Sequence, residues 1–243
     1  MSGSAHLLYG CKLNLRTPGI WLRVVLTVPL MEVLPYLLMG RAFLPEAELT
    51  GYLYANMLWS FVASVVLQCL VALQGLTGAG KTDLFLMADG DLVPWLSGYS
   101  ASVGVLYLGS TLLACGVLGL VLGYPLSALA LLALAVCSIP VTLSLVFLVF
   151  GIELRWGRTF HVINLSLDVL QVFSCVAYPL AALGALMPLA ALSPVTWINE
   201  YVRGFGPTSL LWAFGISAVL LALSVAWVRR SERTWRVTGK LGV

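Results

Sequence analysis

The sequence predicts an all-α polytopic membrane protein, and three observations carry that class. The 243 residues are 60% hydrophobic and only 9% charged, whereas a soluble domain carries roughly 25% charged residues. The apolar residues gather into stretches of about 20, the length that crosses a hydrocarbon core of about 30 Å at about 1.5 Å per residue. No charged residue occurs from Leu92 to Ile152, a length that holds two spans. Six spans in a single domain, 1–243, account for the whole chain.

The elements follow in order. Residues 1–21 alternate leucines with Lys12, Asn14 and Arg16, the pattern of an amphipathic helix lying in the interface. Span one covers about 22–39 and carries Pro29, Glu32 and Pro35. A loop with Arg41, Glu46 and Glu48 leads to span two, about 52–73. Spans three and four are expected over about 100–122 and 126–150, with the turn at Gly123-Tyr124-Pro125. Glu153, Arg155 and Arg158 mark the next loop. Span five covers about 160–178. An apolar stretch broken by Pro179, Pro188 and Pro194 is too interrupted for one straight helix. Span six covers about 210–228, and the tail from Arg229 is basic.

Six spans put both termini on one side, and positive charge selects it. With the termini inside, the inner segments hold Lys12, Arg16, Arg23, Lys81, Arg155, Arg158, Arg229, Arg230, Arg233, Arg236 and Lys240, and the outer segments hold Arg41 and Arg203. Eleven against two places both termini in the cytoplasm.

The stretch Gly75-Leu-Thr-Gly-Ala-Gly80-Lys81-Thr82 fits the phosphate-loop pattern G-x-x-x-x-G-K-[ST]. Its surroundings oppose nucleotide binding. A phosphate loop joins a buried strand to a helix of a soluble domain. Here a membrane-length apolar segment precedes it, another follows, and no soluble domain fits between them. The glycines instead end span two, Lys81 sits at the lipid boundary, and Thr82 or Asp83 caps a short amphipathic helix through Ala88.

That helix, together with the residues after span five, carries a resemblance. The local run is Phe173-Ser-Cys-Val-Ala-Tyr178-Pro179-Leu-Ala-Ala-Leu183, then Leu192-Ser-Pro194-Val-Thr-Trp197, then Glu200 and Arg203. With the six-span pattern it resembles the permease subunits of ABC-2 type transporters. The resemblance implies a cytoplasmic coupling helix between spans two and three and an extracellular re-entrant helical element between spans five and six. It implies an exporter whose ATP and Mg²⁺ are bound by a separate cytoplasmic ATP-binding cassette subunit, so the permease itself needs no cofactor and is not an enzyme. A second permease copy, or a related permease, completes the pathway, and no nucleic acid is involved. Thr82, Asp83, Leu84 and Phe85 are the expected contacts to the ATPase. The chain departs from the family in lacking the Arg/Lys-Glu-x-Gly-Thr run that many members carry there.

Charged residues inside spans cost about 2.5–3.5 kcal/mol each. Glu32 and Asp168 are therefore pathway candidates, the alternative being an internal partner for each. Asn164, Asp168 and Gln171 lie at i, i+4 and i+7, one stripe on a helix. The stripe either lines the pathway or packs on a neighbouring helix. Tyr178, Pro179, Trp197, Glu200 and Arg203 are candidates for an outer gate. For Glu200 and Arg203, three apart, a simple mutual ion pair is the alternative. An ATP-independent secondary transporter or channel is the competing function. It calls for inverted repeats, and no repeat is visible in the sequence.

Overall fold

The computed structural model describes residues 5, 8, 12, 16, 34–78, 91–123, 127–156, 159–204 and 206–238. Among these the chain forms eight α-helices: α1 Leu34–Phe43, α2 Glu46–Gly78, α3 Leu92–Leu122, α4 Ala128–Trp156, α5 Phe160–Phe173, α6 Met187–Ala190, α7 Pro194–Val202 and α8 Thr208–Thr238. A 3-10 segment, Leu180–Leu186, precedes α6. No strand occurs among the described residues.

Among the described residues, four helices are long and apolar enough to cross a membrane: α2, α3, α4 and α8. The chain is therefore a helical membrane protein. The helices outrun the expected spans. Helix α3 starts at Leu92 rather than near residue 100, because Asp91 caps it: the Val93 N–H donates to Asp91 Oδ1 at 3.0 Å. Pro94 then falls in the first turn, where its missing N–H costs nothing. Helix α4 runs to Trp156 and takes in Glu153 and Arg155, which the sequence reading put in a loop. Helix α8 continues through the basic tail to Thr238, aided by an i,i+4 pair in which Arg236 Nη2 meets Glu232 Oε1 at 2.9 Å.

The expected fifth span, 160–178, is corrected. Helix α5 has 14 residues, about 21 Å at 1.5 Å each, short of a ~30 Å core. Of the expected first span, 22–39, the described residues include only Leu34–Met39, within α1. The amphipathic segment of residues 1–21 and the expected coupling helix, with Thr82, Asp83, Leu84 and Phe85, lie outside the described residues, apart from four isolated positions in the former. Glu32 lies outside them too.

Helix α4 holds the bundle together, packing against α2, α3, α7 and α8. Trp95 of α3 stacks on Tyr99 with ring centroids 5.6 Å apart and meets Phe150 of α4 at 6.2 Å. Lipid tails are as apolar as these rings, so their association rests on close packing rather than on escape from water. Helix α2 is the inner helix, with 78% of its apolar window buried, against 22% for α8.

Helices α1 and α2 approach closely at Gly40. A Cβ there would lie 2.8 Å from two Tyr52 ring carbons and 2.9 Å from Leu49 Cδ1. Gly40→Val is expected to lower stability by about 1–3 kcal/mol through overpacking, read as the unfolding midpoint in detergent. Gly51→Ala, whose Cβ meets nothing within 4 Å, is expected to leave that midpoint unchanged or slightly raised.

Candidate functional site

The site begins where α5 stops. A helix ending in an apolar environment leaves its last carbonyls without N–H partners, and a membrane supplies no water to replace them. Pro179 cannot continue the ladder. Cys175 adopts a left-handed conformation, φ 56°, which turns the chain back.

Helix α7 supplies the missing partners. Thr196, Asn199, Glu200 and Arg203 stand at i, i+3, i+4 and i+7, one face of a helix and its C-terminal cap. The Thr196 hydroxyl lies 3.1 Å from the Phe173 carbonyl and 2.8 Å from that of Ala190. Asn199 Nδ2 donates to the Ser174 carbonyl at 2.7 Å. Arg203 Nη2 donates to the Val176 carbonyl at 2.9 Å. Glu200 Oε1 accepts the Leu180 N–H at 2.9 Å, opening the 3-10 segment, and also meets Arg203 Nη1 at 3.3 Å. The Tyr178 hydroxyl donates to the Val172 carbonyl, and the Trp197 indole donates to that of Ala191 at 2.8 Å. Ser174 and Ser193 pair through their hydroxyls at 3.0 Å.

The cluster is dry. Thr196 and Asn199 are fully buried and Glu200 is 2% exposed. Charges taken from water at such cost persist only when paired and hydrogen-bonded, and Glu200 and Arg203 are both. Asn199 Oδ1 is buried with no hydrogen-bond partner. Cys175 lies in this connection, outside the long helices, and packs with Leu180 and Ala190.

The proposed gate residues Tyr178, Pro179, Trp197, Glu200 and Arg203 are thus brought into one element. The mutual ion pair of Glu200 and Arg203 exists, but each residue also holds a backbone group. Trp197 stacks on Trp212 of α8, centroids 5.9 Å apart, which ties the element to the next long helix. The stripe stands on α5: Asp168 is exposed, and Asn164 and Gln171 are half-buried. The face that α5 buries in this chain is that of Ile163 and Leu167.

Sequence reasoning missed Thr196 and Asn199. Their spacing with Glu200 and Arg203 was a usable signal. It also missed Glu153, which is 3% exposed and joins three helices. Its carboxylate accepts the Thr159 N–H at 2.9 Å, the Thr159 hydroxyl and Gln74 Nε2 at 3.2 Å. The C-termini of α2 and α4 and the start of α5 meet there. No pattern in the sequence distinguished it from a loop charge.

Neither a protein-family model nor a curated protein matched the sequence.

Glu200→Ala strands both the Leu180 N–H and the Arg203 guanidinium, and is expected to cost about 3–5 kcal/mol. Glu200→Gln keeps an acceptor for Leu180 and is expected to cost clearly less. Reversible unfolding in mixed micelles ranks the two. Equal losses would mean that the carboxylate is not holding the backbone. Thr196→Val, similar in shape but without a donor, is expected to cost about 1–3 kcal/mol in the same assay.

Proposed function

We propose that the chain is the membrane-spanning permease subunit of an ATP-binding cassette transporter of the ABC-2 type, working as an exporter. The observation that carries this reading is the element from Phe173 to Arg203. The residues on which the resemblance rests make up one hydrogen-bonded unit between α5 and α8, with Glu200 on Leu180 and Arg203 on Val176. Its outer surface is apolar: Leu186, Met187, Leu189 and Leu192 are 45–68% exposed. An apolar surface around a polar-stitched interior suits an element that dips back into the bilayer.

In this reading the first expected span and α5, completed by the non-helical residues just after it, add two crossings to the four long helices, with both termini in the cytoplasm of a cell-membrane protein. Exposed Asp168 on α5 faces a pathway shared with a second permease, either the same chain or a related one. The residues between Gly78 and Asp91 rest on a separate ATPase subunit through Thr82, Asp83, Leu84 and Phe85. ATP and Mg²⁺ are bound in that subunit, and the permease performs no chemistry of its own.

A short helix ending in non-helical backbone is also a feature of ATP-independent secondary transporters, so the same experiment must separate the two. The chain is co-expressed with a candidate ATP-binding cassette subunit, purified in detergent and reconstituted into vesicles. The expected outcome is co-purification and transport that stops without ATP. Transport driven by an ion gradient in the absence of ATP would replace this reading with the second. Asp83→Ala, Leu84→Ala and Phe85→Ala are expected to leave ATP hydrolysis running while transport falls. Normal transport in all three would remove the coupling assignment.

A further inference from the structure

A cavity of about 280 Å³ opens between α2, α3 and α4. Small side chains make it: Ala101 and Gly104 on α3 and Ala135 on α4 leave space that Phe61 of α2 and Ile139 of α4 do not fill. A Cβ on Gly104 would meet nothing within 4 Å. Three hydroxyls stand in the wall, those of Ser97, Ser100 and Thr142. Each donates its proton within its own helix, to the carbonyls of Val93, Ser97 and Ser138 at 2.9, 3.1 and 2.9 Å. The walls therefore offer a guest almost nothing but apolar surface.

The mouth lies at Val105, Val136 and Ile139, which are 71%, 53% and 46% exposed. Val105 sits near the middle of Leu92–Val117 and Ile139 near the middle of Ala128–Trp156, with Val136 one turn nearer the start of the latter. Phe61 holds the same central place in Glu48–Leu76. The opening therefore faces hydrocarbon near the bilayer midplane, where headgroups and water do not reach. An apolar cavity of about 150 Å³ stays dry and takes a benzene ring, and this one is nearly twice as large. Left empty, its walls would forfeit dispersion contacts on one side.

We propose that this cavity is a binding site for the terminal part of one phospholipid acyl chain, which enters sideways from the bilayer. Depth selects the chain end, because the segment near the ester lies at the interface, far from the mouth. The apolar walls discriminate against polar guests and leave the headgroup unread. The site depends only on the chain being a membrane protein, so it stands or falls separately from the transporter reading.

The test uses the full chain in phosphatidylcholine vesicles doped with a phosphatidylcholine carrying a photoactivatable diazirine on its terminal chain carbons. After illumination, adducts are mapped by mass spectrometry of peptides. Adducts are expected at Ser100, Gly104 and Thr142, enriched over the lipid-facing residues Leu211, Val219 and Leu223 of α8. Gly104→Leu, and independently Ala101→Leu, fill the space from its α3 wall. Each is expected to reduce the Ser100 and Thr142 adducts about tenfold or more, the ratio produced by about 1.4 kcal/mol of lost affinity. Gly109→Leu, on the same helix but outside the cavity, is expected to leave them unchanged, and the unfolding midpoint is expected not to fall in any of the three variants. Moving the diazirine next to the ester should abolish the cavity adducts. Labelling that survives both filling variants, that matches the α8 face, or that is equal for the two diazirine positions would overturn the proposal. So would cross-links from these positions to a second copy of the chain in place of lipid.

Discussion

Between Phe173 and Leu180 the chain leaves the helical ladder, and backbone groups there need partners that neither a ladder nor water provides. That requirement shapes the second half of the molecule. Helix α7 answers it with four polar side chains on successive turns, three of which donate to carbonyls and one of which accepts an N–H. The Glu200–Arg203 pair is therefore more than a compensated charge. Each partner keeps the other neutralised while holding a strand of backbone in place. Because α7 also packs on α4 and α8, the stitched element is continuous with the bundle rather than hung from it. An isolated buried ion pair would be weak evidence for stability. Here removal of either member exposes a backbone group as well as a charge.

A second junction works by the same principle at the other end of α5. Glu153, inside the last turn of α4, reaches both Gln74 near the end of α2 and Thr159 at the start of α5. The sharp passage from α4 into α5 is thus fixed by a carboxylate receiving the free amide at a helix start, where negative charge is favoured. Helix α5 is short, yet both of its ends are held by side chains from other helices. Its position is determined by neighbours rather than by its own length. That is also why a carboxylate such as Asp168 can be presented from it on an exposed face.

Much of the architecture was legible in the sequence because hydropathy and length decide most of it. Apolar runs located α2, α3, α4 and α8, and the glycine at 123, left-handed at φ 71°, ended α3 where expected. Boundaries were less legible. Hydropathy registers where charge begins, whereas helices end where hydrogen bonds run out. Glu153, Arg155 and Arg229 remained helical, and Asp91 opened α3 well before the apolar run looked continuous. The end of α5 was read five residues late, at 178 before Pro179, since residues 174–178 carry no charge. The decisive residues were Thr196 and Asn199, some twenty positions later. Tyr178, Pro179, Trp197, Glu200 and Arg203 were singled out by motif as gate candidates, whereas what they share in the structure, one element held by backbone satisfaction, is visible only in three dimensions.

The separation of these partners along the chain has a temporal side. The bonds that close the break join residues 20 to 27 positions apart. A nascent chain that has reached only Ser193 contains none of the four side chains from Thr196 to Arg203. The three bonds from Asn199, Glu200 and Arg203 therefore cannot form before α7 is present in the chain.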